Sequence, residues 1–136
     1  MSSPWTKIHS YSSGDGPPRT LGLNASGQFV VGTADHLTLL KEPKDYVALL
    51  SLLETDKTLF EQALRTSHVE EEKIAKLKSA LYQFGLTVSP YWSERVIDWI
   101  GLDEINEDLK PLLTSALSNT RISQSLRHRV RKMLRG

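Results

Sequence analysis

The sequence predicts an α+β domain: a small three-stranded antiparallel meander followed by a helical bundle, with a helical C-terminal extension. Three observations carry that expectation. Two short apolar runs, Thr20 to Leu23 and Gln28 to Gly32, flank Asn24-Ala25-Ser26-Gly27, whose Asn and Gly can supply the positive φ of a hairpin turn. From Pro43 onward the apolar residues recur at helical spacing. Between those periodic stretches stand the Pro and Gly residues that start and stop helices.

Taken in order, residues 1 to 18 are dense in Ser, Gly and Pro and read as a flexible leader, with Trp5 and Ile8 expected to dock back on the body. Residues 19 to 136 read as one α+β domain, its first part (19 to 88) a meander plus three helices and its second part (89 to 136) a helical extension. After the hairpin and a second turn at Thr33-Ala34-Asp35, His36 to Leu40 adds a third strand, with Leu37 and Leu39 on one face and Thr38 on the other. Pro43 suits a first helical turn, and the Leu-rich run to Glu54 predicts a strongly buried helix. A short helix follows from Thr58 to Arg65, with Leu59, Phe60, Ala63 and Leu64 inward.

The third helix carries a capping-box pattern at Ser67 and Glu70, a stripe of Ile74, Leu77, Leu81 and Phe84, and a stop at Gly85, after which Leu86-Thr87-Val88 reads as extended. Ser89-Pro90 opens a further helix bearing Trp92, Val96, Ile97, Trp99 and Ile100, closed by Gly101. Asp103, Glu104, Glu107 and Asp108 read as the solvated first turn of another helix, which Pro111 kinks or restarts. A last helix runs to the terminus with Ile122, Leu126, Val130, Met133 and Leu134 on one side. Its other side is basic.

Composition narrows the function classes. A chain of 136 residues with 39% hydrophobic and 24% charged residues has the make-up of an ordinary globular domain. No run reaches the roughly 18 to 20 apolar residues of a membrane helix. The N-terminus has no signal-peptide core, so a cytoplasmic location is expected, and the sequon Asn24-Ala25-Ser26 matters only on a secretory route. With no cysteine there is no disulfide framework, thiolate zinc site or cysteine nucleophile.

Catalysis at neutral pH commonly needs a tunable base, a nucleophile with that base in reach, or a metal. His9, His36, His68 and His128 are scattered, without metal-ligand spacing, and adjacent Asp35 and His36 would point to opposite faces of a strand. The glycines form neither a phosphate loop nor a dinucleotide fingerprint. No enzyme, no cofactor and no metal are therefore expected.

Charge points towards binding. From Leu109 onward there are seven Lys or Arg and no Asp or Glu, which leaves residues 1 to 108 with a net charge of −6. Arg127, Arg129, Arg131, Lys132 and Arg135 crowd into nine residues of the last helix. Such a helix attracts phosphate backbones, an acidic protein surface or an anionic membrane, or it is simply the solvated face of a core helix. Without interleaved aromatics it does not suit single-stranded nucleic acid. Trp92 and Trp99, seven apart with Tyr91 nearby, read either as core or as an aromatic anchor for a partner.

The element order between Arg19 and Val88 carries a family resemblance. It rests on Gly27-Gln28-Phe29-Val30-Val31-Gly32, on the run from Leu49 to Leu59, and on the run from Leu77 to Leu86. Together these are similar to the winged-helix-like peptide-docking domains of ribosomal-peptide-modifying systems, the RiPP recognition elements. The resemblance implies a leader peptide adding as a strand beside His36, Leu37, Thr38, Leu39 and Leu40, with the third helix as the other wall of the groove. The chain departs from that pattern where Asp56-Lys57 replace a turn Gly, and in its basic tail. Winged helices also bind DNA, so the fold alone leaves function open.

Three functions are consistent with these readings: a non-catalytic protein- or peptide-binding adaptor or accessory subunit, a DNA-binding regulator using the winged-helix-like core and basic C-terminal helix, and a virion or assembly subunit. A protein or peptide partner is expected first and nucleic acid second, with no membrane; oligomeric state is left open.

Overall fold

In the computed structural model, which describes residues 5–12, 17–33 and 36–135, the chain separates into two units, Met1–Ile74 and Ala75–Gly136. The first holds an open antiparallel sheet whose strands follow sequence order: β1 (Thr6–Tyr11), β2 (Arg19–Leu23), β3 (Phe29–Gly32) and β4 (Leu37–Leu39). The sheet has four strands rather than the expected three. The additional one comes from the supposed leader, of which residues 1–4 and 13–16 lie outside the described residues.

β1 pairs with β2 from Thr6 opposite Leu23 to Tyr11 opposite Arg19, with a bulge between Lys7 and His9. Its few apolar residues give a weak strand signal, and the hydrogen bonds that stabilise it come from a partner strand. Tyr11 anchors its end. The ring is buried, and its hydroxyl donates to the Ala48 carbonyl at 2.6 Å, an acceptor shared with the Arg19 guanidinium at 3.2 Å. Burial pushes the Tyr11 phenol well above its ordinary pKa, so it stays a donor.

The expected hairpin joins β2 to β3. Asn24 Oδ1 accepts from the amides of Ser26 and Gln28, each at 2.9 Å, and Gly27 adopts a φ of 79°. Of the second turn, Ala34 and Asp35 lie outside the described residues.

Register assigns the sheet two faces. Tyr11, His9, Arg19, Leu21, Phe29, Val31 and Thr38 share the face against which the following helices pack, as the Tyr11 and Arg19 bonds to Ala48 and the His9–Phe60 ring contact show. Gly22, Val30, Gly32, Leu37 and Leu39 lie on the other. There the Trp5 indole fills the space that side chains at 22 and 32 would occupy, so Trp5 does dock back on the body.

The helix expected from Pro43 forms over Pro43–Glu54, as a 3-10 helix. Such helices are usually short. This one carries its buried leucines at a three-residue repeat, Leu49 with Leu52 and Leu50 with Leu53, which is the spacing that superimposes side chains on a 3-10 helix. Asp45 Oδ2 accepts from the amides of Lys41 and Glu42, which holds its carboxyl below the ordinary range and satisfies donors at the helix start. α1 (Lys57–Thr66) starts from Asp56, whose Oδ1 accepts the Thr58 amide at 2.8 Å, and it buries Phe60 and Leu64. Leu59, expected to point inward, is 57% exposed because it sits about 100° round the helix from Phe60.

α2 (Glu71–Val88) differs at both ends from its expected form. Ser67 is the C-terminal cap of α1, its amide donating to Ala63, and His68 follows with a φ of 61°, so the Ser67–Glu70 capping box does not form. At the other end the helix continues through Gly85, and Leu86 to Val88 are helical rather than extended. Carbonyls of the last turn that a glycine stop would satisfy lie instead beside the Ser93 hydroxyl, 3.1 Å from Leu86 O.

The second unit adds α3 (Pro90–Trp99), a 3-10 turn at Leu102–Glu104, α4 (Lys110–Ala116) and α5 (Gln124–Arg135). Ser89 caps α3 by accepting the Trp92 amide, and Pro111 restarts the chain as α4 rather than kinking a longer helix. Tyr82, Ile97, Leu109, Leu113, Ile122 and Val130 are almost wholly buried in this unit. Trp99 belongs to that core, whereas Trp92 is half-buried with Tyr91 edge-on at 4.9 Å.

Candidate binding surfaces

β4 is an edge strand, and its register decides which backbone groups are free for a partner. The Leu40 amide donates to the Phe29 carbonyl at 3.0 Å, and the Thr33 amide donates to the His36 carbonyl at 2.8 Å. With Thr38 opposite Val31 between them, the main-chain groups of His36, Thr38 and Leu40 turn towards β3. Those of Leu37 and Leu39 turn to the open side. Of the five expected strand-edge residues, then, two offer an amide and a carbonyl each, and three are committed to the sheet. The Leu37 side chain is 42% exposed and shares with Trp5 the space over Gly32.

The five cations of α5 do not converge on one point. Successive residues turn about 100° round a helix. Val130 and Met133 mark the buried stripe, with Leu126 and Leu134 half-buried beside it. Arg127 borders that stripe near Leu134, half-buried, with its Nε shielded and without a hydrogen-bond partner. Arg129 borders it on the Met133 side. Lys132, Arg135 and Arg131 fan across the exposed crest, where Arg131 lies 3.3 Å from His128 Nδ1. An apolar stripe and a basic face therefore coexist on α5, as the periodicity implied.

Against the Met133 border lies a groove of about 300 Å³ that sequence reasoning did not anticipate, lined by Ile100, Gly101, Leu102, Arg129, Lys132 and Met133. Its apolar floor comes from the end of α3 and from α5, and its two cations stand one turn apart. Leu102, on the 3-10 turn, is 66% exposed. The sequence signal was the isolated Leu102 between Gly101 and Asp103, with nothing to say what faced it.

Glu104, expected in a solvated acidic turn, is largely buried and organises this region. Its Oε1 accepts the Tyr82 hydroxyl at 2.9 Å and the Gly101 amide at 2.8 Å, and Oε2 pairs with Lys78 at 2.5 Å. Both charged side chains are only 11% exposed. Asn106 adds a bond to Ser79 Oγ at 3.1 Å, so the turn is tied to α2 at two points. Asp103, Glu107 and Asp108 remain exposed.

Among the described residues no group of three or more His, Asp or Glu side chains is placed to hold a metal ion, and no helix is long and apolar enough to cross a membrane. Comparison of the chain with protein-family models, with curated proteins and with solved structures finds no match.

Proposed function

We propose that this chain is a non-catalytic protein- or peptide-binding module, an adaptor or accessory subunit that receives an extended segment of its partner along β4. The observation that carries the reading is the free edge of that strand, where Leu37 and Leu39 present two amides and two carbonyls to the open side of the sheet. An added strand would satisfy all four while placing alternate side chains beside exposed Leu37. Edges of this kind are usually blunted by charge, proline or a covering element. His36 to Leu40 contains neither Lys, Asp, Glu nor Pro. The sequence resemblance to winged-helix-like RiPP recognition elements implies the same edge as the docking position, although the strand expected at Leu86 to Val88 is helical here.

Selection from a random peptide display library, followed by amide hydrogen exchange, tests this. Selected peptides should protect the Leu37 and Leu39 amides. Leu39→Pro, which removes an outward-facing donor and no bond to β3, should abolish binding while the sheet stays folded. Peptides that map elsewhere, or that bind Leu39→Pro equally well, would refute the reading. The DNA-binding alternative draws on the α5 cations and predicts binding to random duplex with a steep salt dependence.

A further inference from the structure

We propose that the groove between the 3-10 turn Leu102–Glu104 and α5 is a second docking site, independent of β4, for an acidic peptide segment carrying a large apolar anchor residue. Two complementary features define the occupant. The floor is apolar, with Ile100 and Met133 buried and Leu102 66% exposed among the lining residues. Its rim is cationic: Arg129 and Lys132 stand one helical turn apart, and neither has an acidic partner among the described residues. Glu104, on the same 3-10 turn as Leu102, is committed to Lys78, Tyr82 and Gly101. The same bonds, with that from Asn106 to Ser79, hold the wall of the groove before anything binds, which lowers the ordering cost of association.

The groove selects against the other classes of anion-bearing partner. A phosphate backbone has no use for a leucine and a methionine at the centre of its track, and no aromatic lines the groove on which a base could stack. A membrane-surface helix needs its apolar stripe free to enter the lipid, and on α5 Val130 and Met133 are already buried. An acidic peptide uses both features at once: carboxylates meet Arg129 and Lys132 in the rim, and one apolar side chain covers Leu102 and enters between Ile100 and Met133.

Fluorescence anisotropy with three labelled probes tests the assignment: a short Glu/Asp peptide with Leu and Trp at helical spacing, a Glu/Ser peptide of equal length and charge, and a random-sequence DNA duplex. The Leu/Trp peptide should bind most tightly. The double variant Arg129→Glu with Lys132→Glu should weaken it by about tenfold or more, and Leu102→Ser should weaken it several-fold. Neither should change the thermal midpoint much, since all three side chains are exposed. Equal binding of the Glu/Ser peptide, tighter binding of duplex, indifference to Leu102→Ser, or no binding at all would each overturn the proposal. So would a dimer in sedimentation that dissociates on Leu102→Ser, because the occupant would then be a second copy. Leu39→Pro should leave this binding intact, which keeps the result separate from the fate of the β4 reading.

Discussion

Gly22 and Gly32 lie on the same face of the sheet and have different neighbours, so replacing each by Ala should fail in a different way. A Cβ on Gly22 would stand 2.2 Å from the Thr6 carbonyl oxygen and 2.7 Å from the Trp5 ring; one on Gly32 would meet that ring at 2.7 Å and Leu37 Cδ1 at 3.3 Å. Overpacking of this kind costs about 1 to 3 kcal/mol, and an alanine returns roughly 0.4 to 1 kcal/mol by restricting the unfolded chain. Gly22→Ala, obstructed by backbone, belongs at the upper end of that range, a net loss of about 2 kcal/mol. Gly32→Ala meets only side chains, and tilting the indole reduces its loss to about 1 kcal/mol. The distinguishing measurement is a double-mutant cycle with Trp5→Ala in equilibrium urea unfolding. Removing the indole should make Gly32→Ala neutral or stabilising, whereas Gly22→Ala should remain destabilising because the Thr6 carbonyl is still there. A neutral Gly22→Ala would show that the Thr6 carbonyl does not crowd that position, and a Gly32→Ala whose cost does not depend on Trp5 would show that the indole does not occupy this face in solution.

Two further perturbations probe buried charge and titration. Glu104→Ala should cost about 3 to 5 kcal/mol in urea unfolding, because it removes the carboxylate paired with the buried Lys78 ammonium, while Glu104→Leu combined with Lys78→Met should recover most of that loss. His9 lines a cavity of about 320 Å³ with Tyr11, Asp56 and Leu59, and burial holds its pKa below the ordinary histidine value. The unfolded chain therefore binds this proton more readily, so the His9 contribution to stability is present above pH 6.5 and is lost as pH falls through that value towards the folded pKa. Stability measured across that window should fall less steeply for His9→Gln than for the parent chain.

Local chemistry was legible where it acts locally. The Asn24–Gly27 turn, the Ser89-Pro90 helix start and the division of α5 into apolar and basic sides each depend on residues within a turn or two, and the structure shows each of them. Misreadings occurred where a distant group replaced a local signal. Gly85 reads as a stop until Ser93 is brought beside the carbonyls near the end of α2. Glu104 reads as one of four solvated acids until Lys78, 26 residues earlier, is placed beside it. The strand expected over His36 to Leu40 forms as β4 over Leu37–Leu39, but which of its main-chain groups are spent on β3 follows only from the register with that strand.

By itself, then, the sequence determined the helix starts at Pro43 and Ser89-Pro90, which side of α5 is charged, and that β2 and β3 turn back on each other, because capping, periodicity and turn geometry need nothing beyond nearest neighbours. Tertiary structure decided the rest. Pairing with β2 made a strand of Thr6–Tyr11, two missing side chains made a seat for Trp5, and the parity of the β4 register left Leu37 and Leu39 as its open backbone. Each depends on a group from another segment of the chain, and no spacing rule within a single segment encodes which partner arrives or in what register.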